Sequence, residues 1–124
     1  MKYNFILGVG AQKAGTTWLY NYLKNSNVTN LGPVKEWHIW DAISNNFFSN
    51  FLINKQLSEE NIINKIRYSM QNIDGFYEKY FLTLMSPENY ITGDITPSYS
   101  TLDYTDLIKI KNKLSNIGFN VKVI

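Results

Sequence analysis

The segment from Gly8 to Leu19, GVGAQKAGTTWL, decides how this chain can fold. It ends the short apolar run of residues 3–9, which has the continuous apolar character of a parallel strand buried on both faces. It then leads into Thr16 to Asn25, where apolar and aromatic side chains recur at helical spacing. The order strand, glycine loop, helix predicts an α/β domain built on a parallel sheet.

The loop itself has the glycine spacing of a phosphate-binding loop but an unusual lysine. Gly10 and Gly15 have the separation seen in the Walker A pattern Gly-x4-Gly-Lys-Ser/Thr. Thr16 stands where that pattern has its lysine, and Lys13 lies inside the loop instead. Glycines permit close backbone approach, and amides at a helix N-terminus favour an anion. The loop therefore predicts an anion site in which Lys13, Thr16 and Thr17 supply donors.

The composition limits the classes of function. With 124 residues, 44% of them hydrophobic, residues 1–124 suit one domain with a packed core. A net charge of +2 gives no argument for nucleic acid or an anionic membrane as a partner. The chain has no cysteine and one histidine, which argues against disulfides and a histidine or thiolate metal site. No apolar run has the length of a signal peptide or membrane span, so a cytoplasmic location is expected.

The rest of the chain continues the alternation of strands and helices. Ser58 can cap a helix whose first turn holds Glu59 and Glu60, because carboxylates favour the positive N-terminal end. The segment 34–41 has no helical period and is expected to be extended and loop-like. The further predicted elements are helices from Ser58, over 76–85 and over 105–114, and strands around 90–92 and over 119–124.

Two later motifs accompany the loop: PVKEWHIWD at 33–41 and GDITPSY at 93–99. Together with GAQKAGTTWLYNYL at 10–23, they resemble the sulfotransferase family, most closely its heparan-type and related bacterial members. The second motif is similar to that family's Lys-Glu-x-His-aromatic-aromatic-Asp segment, with Ile39 at the first aromatic position. The third is similar to its acidic-x-Ser/Thr-Pro-Ser/Ala-Tyr stretch. The match is poor from about residue 42 to 89.

This resemblance implies a fold, a co-substrate and roles for particular residues. The fold would be a P-loop NTPase-like, three-layer α/β/α domain with a parallel sheet. The co-substrate would be 3′-phosphoadenosine 5′-phosphosulfate (PAPS), used without a metal, and the acceptor a hydroxyl or amine of a carbohydrate or small alcohol. Glu36 would be the catalytic base, and Lys13 would stabilise charge on the departing bridging oxygen. The cofactor-binding residues would be Lys13, Ala14, Gly15, Thr16, Thr17 and Trp18, and Lys35 and His38 would contact the acceptor substrate.

Structural explanations compete with several of these roles. Glu36 could be a surface carboxylate paired with Lys35, and His38 a hydrogen-bonded structural histidine. The three tryptophans are expected to serve in packing and not as a sugar-stacking platform, although Trp18 directly follows the loop and could flank a cofactor. The polar side chains of the third motif are expected to shape a loop at the carboxyl end of a strand. These are Asp94, Thr96 and Ser98.

The sequence also departs from the family. Ile95 stands where many heparan-type relatives carry a lysine, so a polysaccharide contact at that point is in doubt. The family's Arg-x-Pro segment and later serine, which grip the 3′-phosphate, have no counterpart here. We therefore expect the N-terminal portion of a sulfotransferase domain, incomplete at its C-terminal side and binding PAPS weakly. A complementing C-terminal segment is then among the expected partners.

Two other functions fit part of the pattern. A P-loop nucleotide kinase or NTPase would bind ATP with magnesium, and Thr16 at the lysine position argues against it. A non-catalytic, anion-binding remnant would fold stably and transfer nothing, even at high PAPS concentration.

Overall fold

The computed structural model describes residues 2–10 and 15–124. In these ranges the chain forms three β-strands, six α-helices and two short 3-10 helices. In chain order they are β1 (Asn4–Gly8), α1 (Thr16–Lys24), α2 (Trp40–Ser44), a 3-10 helix (Asn46–Phe51), α3 (Lys55–Ser58), α4 (Ile62–Asn72), α5 (Phe76–Thr83), β2 (Ile91–Ile95), a 3-10 helix (Pro97–Thr101), α6 (Tyr104–Asn116) and β3 (Asn120–Val123). No helix in the described ranges is long and apolar enough to cross a membrane.

The three strands form one parallel sheet in the order β2-β1-β3. The central strand is β1, whose Asn4 pairs with Ile91 on one side and with Asn120 on the other. Gly93 of β2 faces the backbone of Ile6 so closely that a Cβ would collide with it, which explains glycine inside this strand. The mixed α/β class with a parallel sheet, predicted from the opening strand-loop-helix order, is confirmed.

Both faces of the sheet are covered, because side chains alternate along β1. Phe5 and Leu7 are fully buried in a cluster that includes side chains of α4, α5 and α6. Ile6 packs on the other face with Tyr20 and Leu23 of α1. In the larger cluster the Phe5 ring meets Phe81 edge-on at a centroid distance of 5.0 Å. Such pairs add roughly 0.5–1.5 kcal/mol beyond the buried area.

The helix predicted from Ser58 is present as α4, but its predicted cap and start at Ser58 were wrong. Ser58 instead ends the short helix α3, where its hydroxyl donates to the Lys55 carbonyl. Asn61 caps α4, because its side-chain oxygen accepts from the Asn64 amide at 2.8 Å. Asparagine and serine are about equally good N-caps, so the pattern alone did not choose between them.

The expectation for residues 34–41 was right for most of the segment. It has no regular structure until Trp40, where α2 begins. The last two residues of the second motif, Trp40 and Asp41, therefore lie on a helix that presents Asp41 inward, fully buried.

Candidate functional site

The three motifs meet at one edge of the sheet. The carboxyl ends of β1 and β2 lie side by side, since Gly8 pairs with Ile95 in register. This edge is where open α/β sheets place their ligands. The second motif reaches the same place, because Lys35 Nζ lies 3.4 Å from Thr17 Oγ1 of the first. Residues 11–14, and with them the predicted site residues Lys13 and Ala14, lie outside the described residues.

The start of α1 has the geometry of an anion-binding helix end. Gly15 adopts the left-handed conformation, with φ 88° and ψ 12°, which glycine takes without strain. The helix begins at Thr16, and its first turn carries no acidic side chain. The first amides of any helix lack partners within it. A cavity of about 230 Å³ adjoins this end and is lined by Gly10, Gly15, Thr16, Trp18, Leu19 and Ile124.

The tryptophans divide between core and surface. Trp37 is fully buried, and Trp40 packs against the main core, as predicted. Trp18 is 68% exposed and stacks on Tyr22 at a centroid distance of 5.4 Å, so its packing is a surface contact and it does not join the core. The buried face of α1 carries Tyr20 and Leu23 instead, which turns Trp18 toward the surface beside the cavity.

Glu36, His38 and Asp41 form a chain of hydrogen-bonding groups. His38 Nδ1 lies 2.7 Å from Asp41 Oδ2, and Nε2 lies 3.2 Å from Glu36 Oε2. The imidazole also stacks on the Phe51 ring at 3.8 Å, with an angle of 2° between the planes. Ser98 Oγ donates to the same Asp41 oxygen at 2.6 Å. The histidine ring is therefore held from both edges and from one face.

The charges of this chain of groups are coupled. Burial alone would lower the pKa of His38, but Asp41 and Glu36 outweigh it and raise that pKa above its ordinary value. Burial would likewise raise the pKa of Asp41, but hydrogen bonds from His38 and Ser98 lower it. An ionised Asp41 beside an imidazolium is thus favoured. The Glu36 side chain remains 36% exposed, so it faces the solvent as well as the histidine.

The third motif contains a buried carboxylate that accepts hydrogen bonds from three hydroxyls. Asp94 is fully buried at the end of β2 and accepts from Tyr77 at 2.8 Å, Thr96 at 2.7 Å and Tyr99 at 2.7 Å. Burial raises the pKa of Asp94 despite these three donors. It also raises the pKa of both tyrosines well above the ordinary value, so they stay protonated donors.

Two of these hydroxyls also accept hydrogen bonds from the backbone of the second motif. Thr96 Oγ1 accepts from the Trp37 amide at 3.1 Å, and the Tyr99 hydroxyl accepts from the Ile39 amide at 3.2 Å. These bonds fix the residues on either side of His38, which itself has φ 55°, an unusual value for a residue with a side chain. The prediction that the third motif shapes a loop is therefore confirmed, and the loop that it holds is the second motif.

Arg67 on α4 is a positioning residue that the sequence interpretation missed. Its guanidinium donates to the Glu36 carbonyl at 2.9 Å and to the Trp37 carbonyl at 3.3 Å. Burial lowers its pKa, although the charge of Asp94 opposes that effect. Arg67 is the only arginine in the chain and sits among the isoleucines of a helical stripe, which was the available signal. The sequence interpretation also missed Tyr77, whose hydroxyl donates to Asp94.

The structure separates two explanations of Glu36. The Lys35 ammonium contacts Thr17, while the carboxylate of Glu36 contacts His38. Glu36 is therefore not a surface carboxylate paired with its neighbour in sequence. The arrangement can take a proton at Glu36, orient that carboxylate through His38, and bind an anion at α1. Among residues 2–10 and 15–124, no group of three potential metal ligands is present.

Comparisons of the chain with protein-family models, curated proteins and solved structures found no match. The geometry at the sheet edge is therefore what supports a function.

Proposed function

We propose that this chain is a P-loop-like α/β domain of a PAPS-dependent sulfotransferase, with a hydroxyl or amine as acceptor. One observation carries the proposal: the N-terminal end of α1 and the Glu36–His38–Asp41 chain lie at the same edge of the sheet, linked by Lys35 and Thr17. An anion site and a carboxylate base side by side are the two parts that sulfuryl transfer requires.

The residues around α1 suit the phosphosulfate of PAPS. The helix end offers outward amides, the hydroxyls of Thr16 and Thr17, and the nearby ammonium of Lys35. No carboxylate in the first turn competes for these donors. Lys13 adds a second cation by its place in the loop sequence. The exposed Trp18 at the cavity rim offers an aromatic surface for the remainder of the nucleotide.

The carboxylate of Glu36 acts as the base. PAPS supplies the sulfuryl group, and its transfer to the acceptor breaks the bond between sulfur and the bridging oxygen. Glu36 takes the acceptor proton on its solvent-facing side, while His38 Nε2 holds the other side of the carboxylate. The Nε2–H group of the His38 imidazolium donates to Glu36 Oε2 at 3.2 Å and so orients the carboxylate, which leaves its other oxygen to take the proton. Lys13 stabilises the negative charge that develops on the bridging oxygen as the nucleotide departs.

The experiment that tests the cofactor class is calorimetric titration with PAP (the desulfated product), PAPS and ATP, each with and without magnesium. We expect PAPS and PAP to bind without metal, and Lys13→Ala to weaken both by tenfold or more, since hydrogen bonds to charged groups contribute about 1.5–3 kcal/mol. Lys111→Ala, on α6, is the matched control and should leave the affinity unchanged. Binding of ATP only with magnesium would instead favour the nucleotide kinase. Failure of a folded chain to bind any of the three would contradict the proposal.

A second experiment addresses Glu36. In an assay that follows PAP release in the presence of hydroxyl and amine acceptors, Glu36→Gln should slow turnover by roughly 10²–10⁴-fold. Its affinity for PAP should stay near the wild-type value, because the nucleotide is held at α1. Glu88→Gln removes an exposed carboxylate and is the control. Wild-type PAP binding without any release would support the non-catalytic alternative.

A further inference from the structure

The Phe51 ring makes the closest ring-to-ring contact in the described part of the chain. It lies parallel to the His38 imidazole, with a centroid distance of 3.8 Å and 2° between the planes. The other aromatic ring pairs among residues 2–10 and 15–124 have centroid distances of 5.0–6.4 Å. Two neutral rings avoid a direct face-to-face arrangement, because their negative faces repel each other. A positively charged ring is instead attracted to an aromatic face, so this contact favours the imidazolium form of His38.

The imidazolium form is also the one that suits both neighbouring carboxylates. A neutral imidazole has one N–H donor, whereas an imidazolium has two. Nδ1 of His38 faces Asp41 at 2.7 Å and Nε2 faces Glu36 at 3.2 Å, so both contacts have a donor only when the ring is charged. In a neutral ring that keeps its proton beside the buried Asp41, the lone pair of Nε2 meets the Glu36 carboxylate. Glu36 then loses the bond that orients it.

One helix fixes the backbone on both sides of the stack. Arg67 of α4 donates to the carbonyls of the two residues before His38. Gln71 follows four residues later and therefore lies on the same side of α4. Its Nε2 donates to the Phe51 carbonyl at 3.1 Å, and its Oε1 accepts from the amide two residues further on at 2.8 Å. The phenyl ring and the imidazole are thus attached to the same rigid element.

We propose that Phe51 is a positioning residue for the base: its ring stabilises the charged form of His38, and the charged His38 keeps the Glu36 carboxylate in place. The Phe51 side chain is 37% exposed, so burial in the core does not account for its position. It acts through His38 and does not touch the reacting atoms. Its effect on the imidazole is independent of the reaction, whereas its effect on turnover rests on the proposed sulfotransferase function.

A substitution at Phe51 leaves the polar surroundings of the imidazole unchanged. Four polar side chains bond to His38 or to the backbone just before it: Glu36, Asp41, Ser98 and Arg67. Two of them are carboxylates that stabilise the imidazolium, the serine is neutral, and the guanidinium is bound to backbone carbonyls. A change in the proton affinity of His38 after replacement of the phenyl ring therefore measures the contribution of that ring.

The test follows the titration of His38 by NMR, where the signal of its Hε1 proton is unambiguous because the chain has one histidine. Phe51→Leu keeps an apolar cover over the imidazole and removes the aromatic face. It should lower the pKa of His38 by about 0.5, a roughly threefold loss of proton affinity. Phe51→Tyr retains an aromatic face and should keep the wild-type pKa. Phe47→Leu is the matched control, since Phe47 lies on the same 3-10 helix but packs against Phe48.

The pH dependence of turnover tests the positioning role itself. In the assay of PAP release, the alkaline loss of turnover should begin about 0.5 pH lower in Phe51→Leu, with the affinity for PAP unchanged. An unchanged or raised pKa of His38 in folded Phe51→Leu would overturn the proposal, as would an equal fall in Phe47→Leu. A lowered pKa in an active enzyme whose pH profile does not move would overturn it too. A wild type that releases no PAP would contradict the sulfotransferase function, while the NMR titration would still decide whether Phe51 stabilises the imidazolium.

Discussion

The two sides of the sheet edge differ in how completely the protein satisfies its own polar groups. On the side of the second and third motifs, Asp94 has three hydroxyl donors and both ring nitrogens of His38 face carboxylates. On the side of α1, the exposed Thr17 has a 3.4 Å contact with Lys35, its one side-chain hydrogen bond to residues in the described ranges. One side is closed by the fold, and the other presents its groups to the surface.

This difference matches the two tasks proposed for these sides, a catalytic base on one and an anion site on the other. A base works best when its position is fixed in advance by surrounding groups, since no reorganisation is then needed during the reaction. An anion site must instead keep its donors accessible. The comparison therefore predicts that substitutions on the closed side mainly affect folding stability, and that substitutions at α1 mainly affect ligand binding.

The largest expected effect is that of Asp94→Ala. It leaves the hydroxyls of Tyr77, Thr96 and Tyr99 without their common acceptor inside the core, and it should cost about 3 kcal/mol of unfolding free energy. Urea denaturation measures this loss. Asp74→Ala removes a carboxylate that pairs with Lys113 at the surface and should barely move the urea midpoint. Equal midpoints for the two variants would remove the distinction between the closed side and the surface.

The next effect is a dependence of stability on pH through His38. Its pKa is raised in the folded state, so its contribution is complete below the unfolded value of about 6.5 and is lost as pH rises through the folded pKa. The lowered pKa of Asp41 acts at the other end: its contribution is present above about 3.8 and is lost as pH falls through the folded pKa.

Denaturant unfolding between about pH 6 and pH 9 tests the histidine part, because ordinary side chains other than histidine titrate little over most of that range. His38 is the only histidine, so His38→Gln should flatten the profile. A wild-type stability that stays level or rises above pH 6.5 would mean that Asp41 and Glu36 do not stabilise the imidazolium.

A smaller effect is expected at Gly15. With φ 88° and no atom of residues 2–10 or 15–124 crowding the position of a Cβ, Gly15→Ala should cost about 1 kcal/mol through backbone strain. Gly10→Ala is the matched control: its Cβ would lie 3.7 Å from Thr16 Cγ2, in ordinary contact and without a positive φ. Thermal unfolding compares them. A loss as large for Gly10→Ala would assign the effect to crowding in the loop and not to the left-handed turn.

The smallest effect on stability should come from Thr17→Ala, below about 0.5 kcal/mol, because the side chain is exposed. The same substitution should weaken PAP binding several-fold by removing a hydroxyl donor. Thr105→Ala, another exposed threonine near a helix start, should change neither quantity. A stability loss for Thr17→Ala as large as that for Gly15→Ala would show that the α1 side is also held closed by the fold.

Local patterns carried most of the correct predictions for the fold. The strand β1 and the helix α1 were located within one or two residues, because an apolar run and a glycine loop are contained in a short stretch. The start of the helix predicted from Ser58 was misplaced, because two residues, Ser58 and Asn61, were equally suitable caps. The surface position of Trp18 was not predicted, because helical spacing does not state which side of α1 meets the sheet.

The candidate site was only partly contained in its motifs. Glu36, His38 and Asp41 are close in sequence, so their proximity followed from the motif. The roles of Arg67 and Tyr77 depend on contacts with residues 31 and 17 positions away, respectively. A lone arginine in an apolar stripe marks an unusual position, but neither it nor an aromatic run states which distant residue its polar end will bond.

The pairing of β1 has a consequence for how the chain acquires its structure. Asn4 bonds to Asn120 across 116 positions of sequence, and its other neighbour in the sheet is Ile91. A ribosome therefore makes the central strand well before either of its two neighbours. Contacts so distant in sequence favour slow folding, and an unpaired apolar strand such as Phe5–Leu7 can meet other chains meanwhile. We expect the yield of soluble protein to depend on synthesis rate and chaperones more than the final stability would suggest.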